Sequence, residues 1–201
     1  MLRNPFESIL ERRQLRRIAK DVRSGKIPKG VDKERIFKAL KLTRPKNALE
    51  AFGFLSAKVE RANGGLVEDL GLVSCRLVTR DFVDHLVDAM VTNTAMTGFH
   101  QHKQGAGSTA EASGDSTLVT QQVGAQDGAG DTEAIHGATS NVFQSKGTIT
   151  AGSAYEIREH GIFNISTGGV LLDRSIVTAI NVATDDVVTW TYDLTINTET
   201  G

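Results

Sequence analysis

The sequence predicts an α+β protein: a basic helical arm at the N-terminus, then an antiparallel β-sandwich of jelly-roll-like type carrying one helix. Three observations predict it. Residues 187–196 alternate without a break, with Val188, Trp190, Tyr192, Leu194 and Ile196 on one side and Val187, Thr189, Thr191, Asp193 and Thr195 on the other. That is the period of a half-buried strand. From Thr92 onward, helix formers give way to apolar runs divided by Gly, Ser, Thr and Asp. The charge is also split. Residues 1–47 carry 15 Lys/Arg against 5 Asp/Glu and residues 91–201 carry 4 against 12, although the 201-residue chain has a net charge of only −1. Such asymmetry points to a basic arm that meets a polyanion or an acidic protein surface.

The arm opens with Asn4 as a helix N-cap, Pro5 in the first turn and Glu7 at the third position, a capping-box-like start. Phe6, Ile9, Leu10 and Ile18 form a thin apolar stripe; Arg12, Arg13, Arg16, Arg17, Lys20 and Arg23 cover the rest, and Ser24-Gly25 ends the helix. A second helix is expected from the N-cap Asp32 to Leu42, burying Ile36, Phe37 and Leu40. A third is expected from Pro45 to Asn63-Gly64-Gly65, with Leu49, Phe52, Leu55 and Val59 at three- and four-residue spacing. Asn63-Gly64-Gly65 then marks a boundary between an arm, residues 1–65, and a β domain, residues 66–201.

After that boundary, residues 66–78 are apolar and β-leaning. Thr79 is placed as the N-cap of a helix over 80–91 that turns Phe82, Val83, Leu86, Val87 and Met90 inward. Strands are expected over 117–123, 141–149, 154–163, 170–182 and 187–196, with turn clusters at 105–115, 124–132, 168–169 and 184–186. Trp190, Tyr192, Phe163 and Ile157 are the expected core of this domain.

The chemistry-bearing constellations are sparse. Gly105-Ala106-Gly107-Ser108-Thr109-Ala110 fits the dinucleotide fingerprint on paper, but that motif needs a buried strand before it and a helix after it. The flanks here are polar and turn-like, so a surface loop is expected. His100 and His102 share one side of an extended strand, but only Glu111 or His136 can be proposed to complete a metal site, and two ligands do not make one. Hydrogen-bonding histidines are the ordinary alternative.

Glu156, Glu159 and His160 invite an acid–base reading. A carboxylate on an apolar face needs a partner, and Arg174 on a neighbouring strand is the candidate partner for Glu159. The single Cys75, flanked by Val73 and Leu77, is expected to be a buried thiol in a chain suited to a reducing cytosol. No GxSxG elbow, HExxH or Walker loop occurs, and no cofactor is implied. Met1 to Pro5 lacks the apolar run of a signal peptide and no stretch is long enough to span a membrane, so no membrane partner is expected. These features point to a building block rather than an enzyme.

From about residue 70 to the C-terminus the chain resembles a widespread family of tailed-bacteriophage virion structural proteins. The resemblance is carried by Leu70-Gly71-Leu72-Val73-Ser74, Arg76-Leu77-Val78-Thr79, and Phe82-Val83 ahead of Val87-Asp88-Ala89. It continues in His102 (or His100) with Gly105-Ala106-Gly107-Ser108-Thr109-Ala110-Glu111 and Asp115-Ser116-Thr117-Leu118-Val119-Thr120. It ends in Glu159-His160-Gly161-Ile162-Phe163, Leu171-Leu172-Asp173-Arg174-Ser175 and Ala179-Ile180-Asn181-Val182. The string from Tyr155 to Phe163 is also similar to the I-x-E-x-G-L-F strand of tail-fibre and collar modules, with Ile162 in place of the leucine.

The resemblance implies a virion structural protein with a β-rich core working as a symmetric homo-oligomer, at the head, the neck or the tail; the sparse catalytic chemistry makes it non-enzymatic, and a trimer or ring would cover its strand edges. Its first expected role is a capsid decoration (cement) protein on the major capsid shell, made and assembled in the host cytoplasm. A head–tail connector, neck or tail adaptor is the alternative, with connector or tail subunits as partners. Residues 1–65 fall outside the resemblance. There Arg12, Arg13, Arg16, Arg17, Lys20 and Arg23 are the candidate docking residues, for an acidic protein surface or, alternatively, for DNA.

Overall fold

The computed structural model describes residues 5–24, 26, 30–43, 50–92, 98–122, 128–129, 131–135 and 142–197. The chain divides into two compact units, residues 1–50 with 197–201, and residues 51–196.

In the first unit, α1 (Pro5–Arg23) and α2 (Lys33–Thr43) form a helical hairpin. Asp32 caps α2 through a 2.7 Å bond from the Arg35 amide, satisfying one of the N–H groups a helix start leaves open. Leu15, Ile18, Ala19, Val22, Ile36, Ala39 and Leu40 are buried, one face of each helix at three- and four-residue spacing. Arg35 bonds Gln14 at 2.9 Å and Lys38 bonds Glu11 at 2.5 Å, which sets the two helices antiparallel. The expected stripe of α1 needs correction: Ile18 is buried, but Leu10 is 59% exposed and Leu15, Ala19 and Val22 form the inner face. Asn4 lies outside the described residues, as do the side chains of Phe6 and Ile9.

The second unit holds two antiparallel sheets. Strands β1 (Glu50–Glu60), β2 (Val67–Leu77), β5 (Asp131–Ile135), β6 (Val142–Thr150) and β9 (Val187–Asn197) build one, in the order β2-β1-β9-β6-β5. Strands β3 (Gln101–Gly105), β4 (Gly128–Ala129), β7 (Tyr155–Phe163) and β8 (Leu171–Val182) build the other, in the order β4-β3-β7-β8. Both contribute to one apolar core that includes Leu55, Val59, Ile149, Val188, Trp190 and Tyr192 from the first sheet and Ile157, Ile162, Leu172 and Ile180 from the second. The expected strands over 141–149, 154–163, 170–182 and 187–196 are β6 to β9 within a residue or so, although residue 141 itself is outside the description.

Residues 45–49, with Leu49, lie outside the described residues; over residues 50–60 the expected third helix is instead strand β1, paired antiparallel with β2 from Phe52↔Leu77 to Glu60↔Val67. Its middle is buried on both faces, at Phe52, Phe54 and Leu55, and its register shifts between Leu55 and Ser56 and again between Ala57 and Lys58. Both features erase the period-two signal that marks a strand. Asn63-Gly64-Gly65 is therefore the hairpin turn between β1 and β2 and not a domain boundary; Gly64 and Gly65 sit at φ 138° and 63°, where a side chain is strained. The division between units falls at residue 50, so β1 belongs to the β unit.

Over 117–122 the expected strand is replaced by loop with a single bridge, Gly105↔Gln121, and residue 123 lies outside the described residues. The 124–132 turn cluster contains β4 and the start of β5. Helix α3 (Arg80–Thr92) starts where expected, with the Phe82 amide bonded to Thr79 Oγ1 at 3.2 Å. Only Phe82 of its expected inner residues is buried; it meets Phe99 edge-to-face at 5.3 Å.

Candidate functional site

A register shift in β7 determines which of its side chains face the core. β7 pairs with β8 as Ile157↔Ile180 and then as Glu159↔Ile176, two residues of β7 against four of β8, and across this register shift the alternation of β7 reverses. Ile157 lies in the shared core before it, His160 and Ile162 after it, and Glu159, Gly161 and Phe163 fall on the opposite face. That face is covered by the loop over 106–120, whose Leu118 packs with Phe163 and Leu171 in a small cluster of its own. Phe163 is thus buried, but outside the main core that holds Trp190, Tyr192 and Ile157.

Between the sheets lies a polar layer. His102 of β3 pairs its Nδ1 with His160 Nε2 at 3.0 Å and its Nε2 with Ser145 Oγ of β6 at 2.9 Å. The His160 ring lies 4.6 Å from Trp190, whose Nε1 donates to Gln104 Oε1 at 2.9 Å. Gln104 in turn donates to the Tyr155 hydroxyl. Burial, with the nearby His100 charge second, pushes His102 down to about 4; burial and then His102 hold His160 well below the usual histidine range. Serine, histidine and histidine stand in the bonding order of a nucleophile–base relay, but Ser145 and His102 are 0% exposed and His160 1%. The relay has no approach from solvent, and its bonds satisfy buried polar groups.

Further along the core, Asp173 of β8 faces Tyr192 of β9 beside Gly53 of β1. A Cβ on Gly53 would sit 2.2 Å from the Tyr192 hydroxyl and 2.7 Å from Asp173 Oδ2, so only glycine fits. Burial raises Asp173 to about 7, opposed first by the Arg76 charge; burial and then the Asp173 charge push the Tyr192 phenol well above its ordinary value.

The outer face of β7 carries an ionic clasp. The Glu159 carboxylate, 0% exposed, accepts from the amides of Gly107 (3.1 Å), Val119 (3.0 Å) and Thr120 (2.6 Å) and from Arg174 Nε (2.8 Å). Arg174 also donates to Asp115 Oδ2 and to the Thr109 carbonyl, both at 3.1 Å. The expected Glu159–Arg174 partnership is therefore formed. The glycine-rich string over 105–110 does not cradle a phosphate: Glu159 occupies the Gly107 amide in place of an external anion. Gly107 is required because a Cβ there would meet Glu159 Oε1 at 2.4 Å, and Gly105 because one would meet the Thr120 carbonyl oxygen at 2.2 Å. Glu156 pairs with Arg158 at 2.6 Å near the surface.

The proposed metal ligands are apart in function. His100 Nδ1 meets the Gly98 carbonyl at 2.7 Å, both ring nitrogens of His102 are engaged as described, and Glu111 binds Arg76 at 2.8 Å and the Ile176 amide at 2.6 Å. His136 lies outside the described residues. Among the described residues no three His, Cys, Asp or Glu side chains gather. Cys75 is buried. An open hollow of about 460 Å³ beside the clasp is lined by Ser116, Thr117, Ser166 and Thr167; Lys103 at its edge directs its ammonium to the Ser166 carbonyl at 2.6 Å and lies over the Phe163 ring at 4.7 Å.

On the helical unit, Arg12, Arg13, Arg16, Arg17 and Lys20 are exposed and Arg23 is half-buried. Arg13, Arg16, Arg17 and Lys20 project from the side of α1 opposite Leu15, Ile18 and Val22. No helix among the described residues is long and apolar enough to cross a membrane. No family model, curated protein or solved structure matches the chain.

Proposed function

We propose that this chain is a non-enzymatic structural protein of a tailed-bacteriophage virion, acting as a capsid decoration (cement) protein on the major capsid shell. The observation that carries the reading is where the reactive side chains are placed. Ser145, His102, His160, Glu159 and Arg174, the groups from which a catalytic site would be drawn, are nearly solvent-free and bonded to one another or to backbone. What meets solvent is a cationic helix face, a β-hairpin tip and an apolar helix stripe, which are means of attachment. The shared core and the His102–Ser145 bond between sheets support a jelly-roll-like sandwich. The strings similar to virion proteins support the family assignment, and a symmetric homo-oligomer gives the sheet edges a cover.

In this reading the basic face of α1 docks on an acidic protein surface. Five exposed cations on one helix also favour a second reading, contact with duplex DNA through phosphates. Quantifying the protein in purified particles tests the role. Abundance comparable to the major capsid protein is the expected result, a single ring's worth would move the chain to the neck or tail as a connector or adaptor, and absence would remove both. Replacing Arg12, Arg13, Arg16 and Arg17 with Glu should abolish incorporation while the β unit stays folded. Retention on particles at wild-type occupancy would overturn docking, and tight, steeply salt-dependent duplex binding would favour DNA instead.

A further inference from the structure

Helix α3 presents to solvent a face that its own unit does not use. Val83, Val87, Met90 and Val91 are 44%, 51%, 76% and 79% exposed, and their spacing of four, seven and eight residues aligns them in one stripe. Beside that stripe run Asp81, Asp84 and Asp88, the last two exposed, against one cation at the first turn, Arg80. The inner side is anchored by Phe82 against Phe99 and by Thr79 on the Leu171 and Leu172 carbonyls, so the helix cannot roll its apolar stripe inward.

The outer face of α1 has the matching chemistry: Arg13, Arg16, Arg17 and Lys20 beside the exposed Leu10. Long arginine and lysine stems cover apolar side chains while their heads reach carboxylates. We propose that the outer face of α1 in one copy docks on the valine–methionine stripe and flanking aspartates of α3 in a neighbouring copy. The contact joins two different surfaces, so it is head-to-tail, and it closes into a ring when the rotation per subunit allows. This rests on the reading of the chain as a self-assembling building block, and it names the acidic protein surface that the arm meets.

The test uses full-length protein in solution, with mass read by sedimentation velocity at low and high salt and folding checked through Trp190 fluorescence. Wild type should associate, and salt should weaken the association. Reversing α3 (Asp84→Lys with Asp88→Lys) or α1 (Arg13→Glu with Arg17→Glu) should each weaken it by about tenfold or more, and Val87→Ser with Met90→Ser should weaken it without changing charge. Mixing the two charge-reversed proteins should restore assembly, because each then supplies the face that the other lacks.

A wild type that stays monomeric at low salt, or reversals without effect, would overturn the proposal. So would reversals restored only when combined within one chain, which means docking inside a single molecule. Particle content is read separately. Assembly that follows these rules in a protein absent from particles leaves the α1–α3 contact standing and removes the virion role. A particle protein whose assembly ignores the reversals does the opposite.

Discussion

Removing the Glu159 carboxylate is expected to release the loop over 106–120 before it unfolds the sheets. Four donors converge on this side chain: the amides of Gly107, Val119 and Thr120 and the Nε of Arg174. Taking one partner from a buried ion pair costs roughly 3–5 kcal/mol. Each amide left without an acceptor would add about 1–3 kcal/mol if it stayed buried. The loop limits that sum, because once it lifts away water can reach the amides. What is then lost is the cover over Phe163 and Leu171, including burial of Leu118 at about 1.5–3 kcal/mol. Glu159→Ala is therefore expected to cost about 4 kcal/mol, a large part of an ordinary domain's 5–15 kcal/mol. Glu159→Gln should cost less, about 2–3 kcal/mol, since its amide oxygen still accepts while its NH2 group opposes Arg174. Urea unfolding followed at Trp190 gives the global loss. Hydrogen exchange at Gly107, Val119 and Thr120 shows whether the loop opens first. A Glu159→Ala loss below about 1 kcal/mol, with those three amides still protected, would refute the clasp.

Three further outcomes follow from the same core. Trp190→Ala should cost about 3–5 kcal/mol, and Trp190→Phe about 1–3 kcal/mol, because Gln104 Oε1 loses its donor; equilibrium denaturation measures both. Gly53→Ala should destabilise by at least about 1–3 kcal/mol through overpacking against Tyr192 and Asp173, and adding Tyr192→Phe should recover part of the loss, so a double variant no more stable than Gly53→Ala would count against that contact. Stability should also depend on pH through opposed groups. His102 titrates at about 4 in the folded chain but near 6.5 when unfolded, so the unfolded state takes up the proton first and stability falls as pH drops from about 6.5 to 4, by about 3 kcal/mol. Asp173, raised to about 7, contributes in the other direction: its stabilisation is complete below the unfolded value near 4 and is lost as pH rises to 7. Asp173→Asn should therefore give its largest stability gain near pH 7 and steepen the acid-side loss, as read from denaturation midpoints across pH 4–7; parallel wild-type and variant curves would contradict it.

The parts of the fold legible in the sequence are those where apolar and polar side chains alternate. β9 is the clearest: Val188, Trp190, Tyr192 and Leu194 are all buried, as their alternation requires. β6, β7 and β8 carry enough of the same pattern, with turn residues between them. β1 was hidden because Phe52, Phe54 and Leu55 are covered on both faces, so that Phe52, Leu55 and Val59 imitate a helical stripe. Gly53 was the available signal, since a glycine in mid-helix is costly and here it admits Tyr192 and Asp173. β3 was hidden for the opposite reason. His102, Lys103 and Gln104 look like a polar turn, yet all three are buried because the partners that satisfy them lie far away in sequence. The Glu159–Arg174 pair could be reasoned from a carboxylate in need of a cation. The three amides that complete it could not, because backbone donors leave no mark on residue type; only the crowding at Gly105 and Gly107 records them.

This placement bears on what the resemblance to virion proteins means. Its strings include Gly105, Gly107 and Asp115, then Glu159, His160 and Gly161, then Asp173, Arg174 and Ser175. In the structure these residues form the clasp on the outer face of β7 and the polar layer between the sheets. They are internal, and a capsid, a connector or a strand of DNA touching the surface would meet few of them. In this chain those residues serve the architecture: a loop pinned by a buried carboxylate over a strand whose register shift turns one histidine inward. Where the protein sits and what it grips must be encoded in the residues that the strings leave out or expose. Those are the cations of α1, which lie outside the resemblance altogether, and the stripe of α3, where Val83 and Val87 meet solvent. Variants at the clasp should thus change whether the protein folds, and variants on the two helix faces should change where it goes; a clasp variant that folds normally yet loses its place in the assembly would break that division.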